Sequence, residues 1–293
     1  DLHFRLAQSM SDPAEASASV DRAMLWFERA ESWWGPRLTP GDERSGTAMA
    51  GLLYNRAQVV GQRALLTQRT DADDAALIAS LALEHAFAAS DAFAELRDEF
   101  PSSHDAARGL MYARLQEGLA WSLLARTQPD ADKAESDTQS IAAYQRAHDT
   151  ALTMAMDPAD LDAQRALGVA MNRLGNALRS LGRLDESGML YDELIAHRRG
   201  VHRADPVARH LRDLGIAVGK RAQIDQIRAE DAAGEERFAL LALAAAGYGE
   251  ALRLFRELEA SGVPAGREIA MTERVIAAIE AQLGAVSAEP ASP

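Results

Sequence analysis

Five prolines divide this chain into units of comparable length, and that repetition constrains its fold more than any other feature. Pro40, Pro101, Pro158, Pro206 and Pro264 are spaced 61, 57, 48 and 58 residues apart. An aromatic precedes each one: Trp26, Phe87, Tyr144, Tyr191 and Tyr248 lie 14, 14, 14, 15 and 16 residues upstream. The stretch PSSHDAARGLMYARLQEGLAWSLLAR (101–126) aligns without gaps on PADLDAQRALGVAMNRLGNALRSLGR (158–183). Asp105/Asp162, Arg108/Arg165, Leu110/Leu167, Gly118/Gly175, Leu124/Leu181 and Arg126/Arg183 coincide. A period of this size means an array of similar structural units.

Each unit reads as two helices. Apolar residues recur at helical spacing through Leu167, Met171, Leu174, Leu178 and Leu181. The first helix is expected to start at the proline, whose missing N–H has no intrahelical partner there. Asp157 and Asp205 are expected to cap it. The second helix carries the aromatic, which is expected to fill the space between neighbouring helices. Gly175 is expected where two helices meet too closely for a side chain, and Gly182 where the first helix ends in a left-handed turn. The acidic stretches 68–75, 127–139 and 229–236 read as solvated loops, and 284–293 as a disordered tail.

Composition agrees. Hydrophobic residues make up 47 % but aromatics only 5 % of 293 residues. Alanine dominates and β-branched runs are scarce, which suits packed helices rather than a sheet. The formal charge of −13 disfavours nucleic acid or an anionic membrane as partner. With no cysteine, disulfides, thiol chemistry and zinc–cysteine sites are excluded. No uninterrupted apolar run approaches the length of a membrane span. The chain starts at Asp1 without methionine, which reads as a fragment or a processed chain.

The stretch 171–195 resembles a tetratricopeptide (TPR) repeat. The residues that carry the resemblance are Leu174-Gly175, Gly182, Glu186-Ser187 and Tyr191. The standard repeat is about 34 residues, and these units are longer. With DP…R-x-L opening the first helix, they look like the extended repeats carried beside bacterial Ser/Thr protein kinases. The first unit departs most, with Gln58 where the glycine should stand. The resemblance implies an all-α solenoid of about five hairpins forming a single domain over 1–284. Its approximate units are 13–40, 41–101, 102–158, 159–206 and 207–264, with a capping helix over 265–284 and a disordered tail over 285–293.

The resemblance also implies a non-catalytic module that binds a protein or peptide without a cofactor. It implies the extracytoplasmic sensor part of a bacterial signalling protein; a free-standing cytosolic adaptor is the alternative. First-helix side chains would line the binding groove: Asn172, Asn176 and Arg179, with Val169 and Ser180 beside them. Gln223 and Gln226 match them in the next unit, and Asn55 and Gln62 in the first. Asparagine amides can pair with a peptide backbone, and arginine with a carboxylate.

Three other features compete for function. Five arginines and three histidines crowd into HRRGVHRADPVARHLR (197–212), among them Arg198, Arg199, His202, Arg203, Arg209, His210 and Arg212. They read either as a site for an acidic partner or as a helix end balancing nearby acidic residues. Trp33 and Trp34 read as core or as a contact surface. Glu193 and His197 are spaced to share a metal on one helix face, which leaves an α-helical metal-dependent enzyme as a further alternative, but a lone pair is usually a surface interaction. No phosphate loop, nucleophile elbow or kinase motif appears.

Overall fold

The computed structural model describes residues 13–34, 39, 41–68, 71–128 and 130–288. Among these the fold is all-α: ten helices and no strand. They are α1 (Pro13–Trp34), α2 (Glu43–Thr67), α3 (Ala72–Glu99), α4 (His104–Thr127), α5 (Asp130–Met154), α6 (Leu161–Ser180), α7 (Leu184–Ala204), α8 (Ala208–Asp231), α9 (Gly234–Ala260) and α10 (Gly266–Ala288). The chain forms two compact units, Asp1–Arg173 and Leu174–Pro293, and the division falls inside α6.

In the first unit each helix from α1 to α5 packs on the next, and α2 also touches α4. In the second unit α7, α8, α9 and α10 pack in the same consecutive way. A recurring interlock holds successive helices together. Between α4 and α5, a Cβ on Gly118 would lie 2.7 Å from the Tyr144 ring. On the same two helices the Ser140 hydroxyl donates to the Gly118 carbonyl at 2.9 Å. Between α6 and α7, a Cβ on Gly175 would lie 2.8 Å from the Tyr191 ring. Here the Ser187 hydroxyl donates to the Gly175 carbonyl at 2.8 Å. Tyr144 and Tyr191 are both buried. Glycine removes the side chain that would hold the helices apart, the ring occupies its place, and serine satisfies the carbonyl that approach leaves facing the partner helix. Gly182 ends α6 with φ +73°. Arg183 N–H then reaches back to the Leu178 carbonyl at 2.9 Å, closing the helix end.

The aromatic register fails at its N-terminal end. Trp26 and Phe87 are 60 % and 39 % exposed. The buried face of α3 is built instead from Ala75, Ala79, Ala82, Ala86 and Ala89. Small side chains on that face leave no gap for a ring to fill. Phe87 meets Trp121 edge-on at 6.4 Å, and Arg29 lies 5.9 Å over Trp26. Phe93 takes the packing role, with its ring seated over Gly109 of α4. In α2 Gln58 is half-buried between two buried residues, Ala57 and Val59.

Helix starts also differ from expectation. α4, α6, α8 and α10 begin two or three residues after their prolines. Asp157 folds back on the Ala159 N–H at 2.8 Å, and Asp160 caps α6 through the Ala163 N–H at 2.9 Å. Asp205 pairs with His210 at 3.1 Å rather than capping α8. An Asp-Pro turn thus comes first and the helix follows. The acidic stretches are not long loops: α3 and α5 begin at Ala72 and Asp130, so most of these residues lie in helix. Asp71 caps α3, accepting from the N–H groups of Asp73 and Asp74. Negative charge is favoured at that end by the helix dipole. Residues 284–288 continue α10, so the expected tail is helical that far; 289–293 lie outside the described residues.

Alanine-rich α3 and α9 are long and apolar enough to cross a membrane by length and composition alone. The run-length expectation missed this because scattered charges interrupt both. Each packs one face into its unit: Ala89, Phe93 and Leu96 of α3, and Leu241, Ala244 and Tyr248 of α9, are core residues.

Candidate functional site

In the first unit, α2 and α4 bring two tyrosines together. The rings of Tyr54 and Tyr112 lie 6.2 Å apart at a 53° tilt. The Tyr54 hydroxyl accepts from Gln58 at 2.8 Å. Burial, reinforced by Tyr112, pushes the Tyr54 pKa up to about 12 against opposing hydrogen bonds from Gln116 and Gln58 and the charge of Arg173. Its hydroxyl therefore stays protonated through neutral pH. The expected residues Asn55 and Gln62 are half-buried on α2, and neither side chain hydrogen-bonds to a described residue. Tyr54 and Tyr112 were missed, because they stand 14 and 11 residues after their prolines and so share no repeat position.

Asn172, Asn176 and Arg179 are half-buried along α6. Asn172 falls in the first unit; Asn176 and Arg179 fall in the second. Within the second unit the structure gathers Arg179, Gln223 and Gln226 around Tyr248. The Tyr248 hydroxyl donates to Gln226 at 3.1 Å. Burial pushes its pKa up to about 12, partly opposed by the Arg179 charge. Arg179 Nε is buried without a hydrogen-bond partner. Gln223 borders a cleft of about 310 Å³ between α8, α9 and α10, whose floor is made by Tyr248 and Phe255.

The hairpin that forms this cleft modifies the interlock. The position on α8 that aligns with Gly175 is Ala222, and Ala244 stands four residues before Tyr248 as Ser187 does before Tyr191. The missing side chain has moved to the other helix: a Cβ on Gly247 would lie 2.8 Å from the Ala222 Cβ. Tyr248 remains a core residue of this unit and also borders the cleft.

Most of the basic segment is occupied with internal bonds. Arg198 donates to the Asp213 carbonyl, and Arg199 pairs with Glu250 of α9 at 2.7 Å. His210 is buried against Asp205. Arg212 donates to the Pro264 carbonyl and lies 3.4 Å from Glu268. His202 is half-buried. Arg203 and Arg209 are exposed without a charged partner among the described residues. Next to this segment, Arg221 bonds Asp192 of α7 at 2.9 Å and Asp225 of its own helix at 2.7 Å. Arg228 reaches Asp185 of α7. Gly188 gives these guanidiniums room, with Arg228 Nη2 3.6 Å from where its Cβ would be. The arginines thus fasten α7 to α8 and α9.

Glu193 is exposed and His197 half-buried. Among the described residues no group of three His, Cys, Asp or Glu side chains gathers to hold a metal. Trp33 and Trp34 end α1, and their side chains lie outside the described residues.

No family model matches this chain. No curated protein matches it. Among solved structures, one titled the crystal structure of BtubC (BKLC) from P. vanneervenii is similar at 14 % identity with a TM-score of 0.36. That match covers 85 % of this chain and 93 % of that one.

Proposed function

We propose that this chain is a TPR-like helical repeat module, an α-solenoid, that binds a protein or peptide along the faces of its first helices and carries no catalysis of its own. One observation supports the reading above others: the glycine–serine–tyrosine interlock recurs at α4/α5 and α6/α7. Stacked units that interlock in this way present an extended surface of repeated side chains, the kind that accepts an extended or helical segment. Asn55, Gln62 and Asn172 in the first unit, and Asn176, Arg179, Gln223 and Gln226 in the second, supply amide and guanidinium groups suited to a peptide backbone and a carboxylate.

The module serves as the extracytoplasmic sensor region of a bacterial signalling protein such as a transmembrane Ser/Thr kinase. The residues upstream of Asp1 in the natural gene test this placement; a membrane span there agrees with it, and a cytosolic domain without one overturns it. Binding is tested by selecting peptides from a random library on the immobilised chain and measuring them by calorimetry. Replacing Asn172 and Arg179 together by alanine weakens the selected peptides roughly 10- to 100-fold, the loss of one charged hydrogen bond. Helix content stays unchanged. Full affinity in that folded variant, or no enriched peptide, overturns the reading.

A further inference from the structure

We propose that the cleft between α8, α9 and α10 is a binding site for a small apolar carboxylate, with Lys220 as its counter-charge. This does not rest on the peptide-binding reading.

The cleft holds about 310 Å³, at the lower end of the range for small-molecule sites. At roughly 30 Å³ for each water-sized atom, it accommodates a ligand of about ten non-hydrogen atoms. Its walls explain why the ligand's body is apolar. Ile216 of α8, Phe255 of α9, and Met271 and Val275 of α10 line it. Met271 is 59 % exposed and stands at the mouth.

Two glycines of α8 face this space, for different reasons. Gly215 is required by packing, because its Cβ would lie 2.8 Å from the Phe255 ring. Gly219 is not, because its Cβ would meet only the Ala251 Cβ at 3.8 Å, an ordinary contact. A helix-interior glycine costs about 1 kcal/mol relative to alanine. At Gly219 no packing gain offsets that cost; what the glycine preserves is open volume beside Lys220.

Charge fixes the ligand's polar end. Several other cations of this unit are matched, Arg199 with Glu250, Arg221 with Asp192 and Asp225, Arg228 with Asp185, and Arg256 with Glu273, while Arg203 and Arg209 are exposed to solvent. Lys220 is half-buried, and no carboxylate among the described residues lies within ion-pair distance of it. The cleft's own acid, Glu268, is held by Arg212 at 3.4 Å. Burial lowers the Lys220 pKa, and the Arg179 charge lowers it further. A carboxylate seated beside Lys220 relieves both effects. Gln223, whose amide makes no hydrogen bond to the described residues, supplies a neutral donor next to it.

The test is calorimetry on the whole chain with octanoate, octan-1-ol and octylammonium. Octanoate binds at least about tenfold more tightly than octan-1-ol, the factor a charged hydrogen bond supplies, and octylammonium does not bind. Lys220→Met abolishes the preference for octanoate over the alcohol. Val275→Trp, which fills the cleft, abolishes binding of both while circular dichroism confirms the fold. Failure of octanoate to bind at millimolar concentration overturns the proposal. So does equal affinity for octanoate and octylammonium, or an octanoate preference that survives Lys220→Met. These outcomes are separable from the peptide selection, since neither Lys220 nor Val275 is altered there.

Discussion

The α6/α7 and α8/α9 hairpins solve one packing problem in opposite ways. In α6/α7 the glycine is on the first helix and Tyr191 is fully buried against it, with Ser187 bonded to the Gly175 carbonyl. In α8/α9 the close approach beside the tyrosine is made by Gly247, on the second helix, facing Ala222, while a glycine under a ring persists seven residues earlier on α8, where Gly215 meets Phe255. The tyrosine that remains, Tyr248, keeps its hydroxyl on Gln226 and borders a cleft. Tyr191 is sealed between two helices, whereas Tyr248, also a core residue, has one side on a cleft.

The largest way to break this comparison is to remove the rings. Tyr191→Ala is expected to cost about 3 to 5 kcal/mol, as for other large core truncations. Tyr248→Ala is expected to cost about 1 to 2 kcal/mol, since part of its surroundings is already open. Denaturant melts of both variants check this, and equal losses would erase the distinction.

Exchanging the glycines comes next. Gly175→Ala and Gly247→Ala should each cost about 1 to 3 kcal/mol through overpacking. Adding Ala222→Gly should recover most of the loss in Gly247→Ala, because the two Cβ atoms are the colliding pair. No comparable rescue exists for Gly175→Ala, whose obstacle is a ring. The same melts, run on the double variant, decide it.

Titration of Tyr248 gives a further contrast. Burial raises its pKa from the usual tyrosine value of 10.0 to about 12 in the folded chain. The folded state therefore favours the neutral phenol, so this contribution is intact below pH 10 and is lost as pH rises from 10 towards 12. Tyr248→Phe should shift alkaline unfolding to higher pH, read by circular dichroism against phenolate absorbance. An unchanged transition would contradict the burial.

Smaller effects test the polar half of the interlock. Ser187→Ala and Ser140→Ala should each cost about 1 kcal/mol for a buried hydrogen bond. The smallest effect is in the basic segment. Arg203→Gln, without a charged partner, should stay within about 0.5 kcal/mol. Arg199→Gln should lose no more than about 1 kcal/mol, and less in high salt.

Sequence reading reached the helical class and the α6/α7 interlock because Gly175, Gly182, Ser187 and Tyr191 all lie close together in one unit. It went wrong where packing changed partners. Trp26 and Phe87 keep the spacing of the other aromatics yet are exposed, and for Phe87 the alanines of its own helix α3 form the packed face instead. Asp157 and Asp205 were read as caps because an Asp-Pro pair cannot reveal whether the helix starts at once or after a turn. Register put Gln223 and Gln226 on one helix, and the structure sets both beside Tyr248. Lys220 and the cleft were not, since that space depends on three helices and on a glycine that looks identical in sequence to a packing glycine. The basic cluster was visible as composition, but only contacts show that Arg198, Arg199 and Arg212 are engaged elsewhere in the unit.

The alanine face of α3 changes how this protein can be interrogated by mutation. At Ala79, Ala82, Ala86 and Ala89 an alanine scan substitutes nothing and is blind to an interface that carries much of the first unit. Information there flows only from enlargement: valine or leucine at a buried alanine wedges α3 from its neighbours, so a saturation scan should find these plain positions less tolerant than many leucines. Drift in such an interface is one-sided. Its residues can exchange among glycine, alanine and serine, and every larger step must be met by a smaller one on the facing helix, which is the exchange already written into Ala222 and Gly247.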